Sequence, residues 1–192
     1  MPDRDAPDWL AGLLARWPAL AAPAALLVRV DSQRLYRLRD GRIAAEYPVS
    51  TSRYGIGCAE GSQRTPDGLH CIAQKIGVGA ACGEIFVGRR AQGRIAAIER
   101  AATPAADDPI TSRILWLRGL QSGHNAGRDA AGDCCDSHAR YIYIHGTAQE
   151  GALGRPASIG CVRMANADVI ALFDEVEEGE AVLIVAEPGG QR

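Results

Sequence analysis

A mainly β domain is what this chain of 192 residues predicts. Short apolar runs of strand length alternate with turn dipeptides, and only two segments show helical spacing. The composition agrees: aromatics are 5% and glycine numbers 22, so Val, Ile, Leu and Ala must build a core between tight turns. The length admits one substantial core. Lys+Arg 21 against Asp+Glu 23 leaves a net charge of -2, which excludes general disorder and gives no basic surface for nucleic acid.

Along the chain, Trp9, Leu10, Leu13, Leu14, Trp17 and Leu20 recur at helical spacing, with Asp8 placed to cap the start and Pro18 to disturb the end. This predicts an amphipathic helix over 8–20, packed on the main body as an N-terminal extension (1–24) to a unit spanning 25–192. Strands follow at 25–30, 33–38 and 43–50, separated by Asp-Ser and Asp-Gly, the latter a strong hairpin signal. The Gly-rich stretch 53–68 is a loop. Its Thr65-Pro66-Asp67-Gly68 can form a turn with Gly68 at positive φ, leading into the strand 69–75. Further strands are expected at 84–88, 112–119, 140–145 and 181–186, with a polar rim or lid at 121–136. A second helix is expected to start near Asn166 and to be stopped by Gly179.

The longest apolar run, Trp17 to Val28, is shorter than the ~18 residues of a membrane span and contains two prolines, so no span is expected. The first residues are acidic where an export signal is basic, and no signal peptide is read there. Six cysteines are present, at 58, 71, 82, 134, 135 and 161; the adjacent Cys134 and Cys135 are poor partners for one another, and the set reads as reduced thiols.

Reactive residue types are densest between His145 and Arg163. A cysteine thiol is only about 3% ionised at pH 7, so a nucleophilic cysteine needs a base, a cation or backbone donors beside it. His145 can be that base, and Gly160 lets the backbone before Cys161 approach a substrate closely. The second helix can add the pull of its positive end. Singly, each residue fits a bland role as well: Cys161 as a small buried side chain, His145 as a strand end, Arg163 as a partner for a carboxylate. Spacing does not decide between them.

The blocks Tyr47–Gly57, Thr65–Lys75, Ile114–Gly127 and Arg140–Thr147, together with His145-Gly146 and Ser158-Ile159-Gly160-Cys161-Val162-Arg163-Met164, resemble the L,D-transpeptidase family built on the YkuD catalytic domain, in the family's order over about residues 25–186. The resemblance implies two packed mixed sheets with a short helix after the nucleophile. It also implies a cofactor-free thiol acyltransferase acting on peptidoglycan stem peptides, as donor and acceptor, in the cell envelope; with no signal peptide read, action on soluble muropeptides inside the cell is the alternative. In this pattern Cys161 is the nucleophile, His145 its base, and the Gly146 carbonyl the group that fixes the imidazole tautomer. The Gly160 and Cys161 amides then serve the oxyanion, Arg163 contacts a substrate carboxylate or holds the loop, and Ser158 orients His145 or substrate. Release of D-alanine leaves a thioester, which an amine of a second stem converts to a 3→3 cross-link. Ile159 departs from the pattern, since many members carry His there.

Hydrolysis of the same acyl-enzyme, an L,D-carboxypeptidase activity, uses the same residues. A catalytically silent peptidoglycan-binding protein and a zinc-binding module built on His124, Cys134, Cys135 and His138 are the rivals outside catalysis. The adjacent thiols with His at +3 match no strong metal spacing, so no metal ligands are assigned.

Overall fold

The computed structural model describes residues 7–101 and 108–186. Residues 1–6, on which the reading of the chain start partly rests, lie outside the described residues, as does the end of the expected catalytic unit, 187–192. Helix α1 (Asp8–Arg16) leads through a 3-10 turn (Pro18–Ala21) into strands β1 (Ala24–Arg29), β2 (Arg34–Arg39) and β3 (Arg42–Ser50). These are followed by β4 (Gly68–Ile76), β5 (Glu84–Val87), β6 (Arg90–Ile95), β7 (Ile110–Gly119) and β8 (Tyr143–Thr147). After β9 (Val162–Met164) come α2 (Asn166–Glu175) and β10 (Ala181–Val185).

Hydrogen bonding runs β4-β10-β1-β2-β3-β9-β8-β7, and β4 pairs again with β7, so the sheet closes on itself. Parallel pairs β1–β10 and β8–β9 among antiparallel neighbours make it mixed. The β5–β6 hairpin extends from β7; β6 is an exposed edge that carries Arg90, Arg94 and a positive-φ Gly93, features that discourage further strand pairing.

Period-two alternation sorts the side chains. Leu26, Val28, Leu115, Leu117, Ile144, Val162, Met164, Val182 and Ile184 point inward, where they meet Val169, Leu172 and Phe173 of α2. Their neighbours Ala25, Leu27, Leu183 and Val185 point outward under Leu10, Leu13 and Leu20, so α1 and its 3-10 turn cover the outer face of β1, β2 and β10. The expected helix over 8–20 is therefore two pieces. The break falls at Trp17, because Pro18 cannot continue the α ladder but suits the first position of the 3-10 turn. Asp8 lies inside the first turn rather than capping it; Pro7 holds the cap position with no side-chain bond.

Other boundaries shift for local reasons. The strand expected from 140 begins at Tyr143, since Arg140 and Tyr141 close a turn onto Asp136 and His138 and Tyr141 takes φ +57. Strands β6 and β9 are additions to the expected set, and α2 ends at Glu175, before Gly179. Gly68 does take a positive φ, +95.

Candidate active site

The parallel register pairs Ile144 with Val162 and His145 with Arg163. Since Ile144, Val162 and Met164 face the core, Tyr143, His145, Cys161 and Arg163 all face outward on adjoining strands. Continuing the register by one residue sets Tyr143 beside Cys161, and the Tyr143 N–H donates to Cys161 Sγ at 3.4 Å. His145 and Cys161 are thus diagonal neighbours on one face, a separation that an imidazole can span. Sγ lies 3.5 Å from the Tyr141 carbonyl, to which the thiol donates, and no hydrogen bond joins it to His145 in this arrangement.

His145 Nδ1 lies 2.7 Å from the Gly146 carbonyl. A carbonyl only accepts, so Nδ1 carries the proton and Nε2 keeps its lone pair. Burial lowers the His145 pKa, and the nearby Arg163 guanidinium adds to this. Burial pushes the Cys161 thiol up to about 11, against the opposing effects of the Tyr143 N–H and Arg163. The resting pair is a neutral thiol beside a neutral imidazole.

Gly146 is glycine because nothing larger fits: a Cβ there would lie 2.6 Å from the Thr111 carbonyl and 2.8 Å from Asn166 Oδ1. That oxygen accepts from Thr111 Oγ1 and Ser112 Oγ, both at 2.6 Å, while Asn166 Nδ2 donates to the Thr147 carbonyl at 2.8 Å. The first amide of α2, on Asn166, donates to Glu150 Oε1 at 2.9 Å, so the positive end of that helix meets a carboxylate and not the thiol.

The turn before Cys161 is built from hydroxyls. Gly160 takes φ +138, a conformation that disfavours a side chain. Ser158 Oγ donates to the Cys161 carbonyl at 2.6 Å and accepts the Gly160 N–H at 3.2 Å. Ser158 therefore braces its own loop rather than reaching His145, and the Gly160 amide is engaged there rather than presented to an oxyanion. Thr65 Oγ1 donates to the Gly160 carbonyl at 2.9 Å and accepts the Ser52 N–H at 2.9 Å, which ties the turn to the 47–57 and 65–75 blocks.

Arg163 is buried, with Nε 2.7 Å from Asp108 Oδ2. Asp108 Oδ1 also accepts from Thr147 Oγ1 at 2.6 Å and from the Ala148 N–H at 3.1 Å. Of the two roles expected for Arg163, loop support is the one with a partner in place. Sequence reasoning missed Asp108 and Asn166, because both act through strands brought together from distant segments.

It also missed an aromatic wall beside the thiol. Trp116 packs edge-on against Tyr143 at 5.8 Å between centroids, and Arg89 lies over Trp116 and Tyr141 at 4.5 and 5.3 Å. Tyr141 and Ile159 stand exposed on the rim. On the other side, Arg140 donates to the carbonyls of Cys58 at 2.9 Å and Arg64 at 2.8 Å, fixing the Gly-rich loop. The residues weighed as zinc ligands disperse: Cys135 Sγ donates to the Gly127 carbonyl at 3.5 Å, and His138 stacks on Trp116 at 3.9 Å. All six cysteines are free thiols, and no helix among the described residues is long and apolar enough to cross a membrane.

Comparison with known proteins agrees with this architecture. An L,D-transpeptidase from Mycobacterium smegmatis superposes with a TM-score of 0.51 at 12% identity, over 85% of this chain and 59% of that one. L,D-transpeptidase 3 from Mycobacterium tuberculosis, solved with a faropenem-derived adduct, gives 0.50 at 15% identity, over 86% and 60%. At these identities the likeness is one of fold. YqjB of Bacillus subtilis (strain 168), whose name carries an L,D-transpeptidase designation, is 36% identical over 78 residues, which is 41% of this chain and 36% of YqjB. The family model of the L,D-transpeptidase catalytic domain, YkuD, matches residues 23–184, and with most of its length so matched the chain belongs to that family.

Proposed function

We propose that this chain is a cysteine-dependent L,D-transpeptidase acting on peptidoglycan stem peptides. The observation that carries the reading is the shared outer face of β8 and β9, where a tautomer-fixed imidazole and a partly exposed thiol are diagonal neighbours. Rotation of the Cys161 side chain away from the Tyr141 carbonyl brings Sγ to His145 Nε2, which takes the thiol proton. The thiolate adds to the carbonyl that precedes the terminal D-alanine. The C–N bond breaks as the imidazolium returns its proton to the departing amine, leaving a thioester and free D-alanine. An acceptor amine, relieved of a proton by His145, then attacks the thioester, forming the 3→3 amide and restoring the thiol.

The Tyr143 N–H, already aimed at Sγ, supports the thiolate. With the Gly160 amide engaged by Ser158 and the Tyr143 amide by Sγ, the Cys161 amide is the donor assigned to the oxyanion, worth about 3 kcal/mol in acyl transfer. Arg163 and Asp108 hold β9 beside β8, and the aromatic wall and Ile159 flank the bound peptide.

Incubation with a defined tetrapeptide muropeptide, followed by mass spectrometry of all products, tests the reading. A cross-linked dimer and released D-alanine are expected. Tripeptide alone assigns the hydrolytic reaction, and an unchanged substrate counts against both.

A further inference from the structure

The Gly-rich loop and the turn that opens the 121–136 rim place Cys58, Asp67 and His124 side by side, outside the set around Cys161. Cys58 Sγ lies 3.7 Å from His124 Nε2 and 3.6 Å from Asp67 Oδ1, and the same two atoms of His124 and Asp67 lie 3.2 Å apart. These three potential ligand atoms form a compact triangle with no other side chain needed to close it.

The triangle has a specific size. Tetrahedral zinc with bonds of about 2.3 Å to thiolate, 2.05 Å to imidazole and 2.0 Å to carboxylate gives edges of about 3.6 Å (S to N), 3.5 Å (S to O) and 3.3 Å (N to O). The observed sides match these edges to about 0.1 Å. The donor set of one thiolate, one imidazole and one carboxylate suits zinc among the common divalent ions, since magnesium and calcium take oxygen ligands.

The ligands are also held from behind. Asn125, fully buried, donates from Nδ2 to the Asp67 carbonyl at 3.0 Å; Arg140 donates to the Cys58 carbonyl; and the His124 N–H donates to the Gln121 carbonyl at 3.1 Å. Among the described residues, the Cys58 thiol makes one further polar contact, a long one to the Asp67 carbonyl, 4.0 Å.

We infer that Cys58, Asp67 and His124 form a zinc site with three protein ligands, its fourth position open to water on the exposed side of His124. On binding, the Cys58 S–H bond is replaced by an S–Zn bond and the proton passes to water, with no change of oxidation state. The ion clips the 53–68 loop to the 121–136 rim. Through Thr65, that loop is tied to the turn carrying Cys161, so the site is a structural clip on the rim and not part of the acyl transfer. Its sequence spacing, 9 and 66 positions from Cys58, hides it from motif reading.

Cobalt, which takes zinc's geometry and reports thiolate ligation by a charge-transfer band, is the probe. Titration of the reduced chain is expected to give one Co2+ per chain with that band, displaced by Zn2+, and a rise in Tm with added Zn2+. Cys161→Ser is expected to keep the band and Cys58→Ser to lose both band and Tm shift. His124→Ala, at an exposed side chain that the fold does not need, is expected to weaken binding by more than about tenfold. A wild-type chain that shows no stoichiometric band, a band that survives Cys58→Ser, or affinity unchanged in His124→Ala overturns the inference and leaves a hydrogen-bonded triad only.

Discussion

Gly146 shows how one missing side chain shapes the site. A Cβ at this position would run into the Thr111 carbonyl and Asn166 Oδ1, while the Gly146 carbonyl holds His145 Nδ1. Gly146→Ala must move one of these groups, and overpacking of this kind costs about 1–3 kcal/mol. We expect a lowered Tm together with a disproportionate loss of acylation rate, because the imidazole loses its anchor; thermal melts and acylation kinetics on the same preparation check both. In the sequence His145, Gly160 and Cys161 stood out as reactive or permissive residue types, and only the family resemblance added Gly146 and gave the four their roles. Asp108, Asn166 and Tyr143 did not stand out, because their value lies in which distant strand they face. Asp108, for example, precedes β7 yet meets Thr147 of β8 and Arg163 of β9.

At the scale of elements, the β8–β9 pair positions the chemistry, and its short second strand was invisible to pattern reading. Three residues carry too little alternation to announce a strand, whereas the nine residues of β3 and of β4 do. The polar tie at the end of α2 is equally unreadable from spacing. Arg37 of β2 is fully buried; it forms an ion pair with the Glu180 carboxylate, itself almost buried, and donates to the Glu175 carbonyl at the end of α2 at 3.3 Å. Arg37→Met leaves Glu180 as an unpaired buried charge, a loss of about 3–5 kcal/mol. Urea unfolding of this variant is expected to show that loss, and the double variant Arg37→Met/Glu180→Leu to recover much of it. A single variant as stable as wild type contradicts the assignment.

Over the whole molecule, the mainly β class and most strands followed from alternation and turn residues, but closure of the sheet through β4–β7 did not, because non-local pairing leaves no local mark. The closed sheet also buries titratable groups. His70 of β4 is enclosed, with Nδ1 2.9 Å from the Gly68 carbonyl and Nε2 2.9 Å from Ser137 Oγ, and burial lowers its pKa from 6.5 to about 4. Between those values the unfolded chain binds more protons than the folded one. Stability is therefore full above pH 6.5 and declines as pH falls toward 4, by on the order of 3 kcal/mol from His70. His145, shifted in the same direction by burial, adds to the decline. Urea unfolding at several pH values is expected to show a shallower acid loss in His70→Gln than in wild type; equal slopes contradict this account.

The proposed acyl transfer requires that the Cys161 thiol be reachable and that His145 accept its proton. Intact-protein mass spectrometry of the folded chain exposed to a carbapenem-type β-lactam is the decisive test. One covalent adduct at Cys161 is expected, absent in Cys161→Ala and formed at least about 100-fold more slowly in His145→Ala. The neutral thiol and imidazole imply a rate that falls only at acid pH, below the ordinary imidazole range, as His145 takes up a proton. An unmodified wild-type chain, or an adduct that persists in Cys161→Ala, would contradict the account.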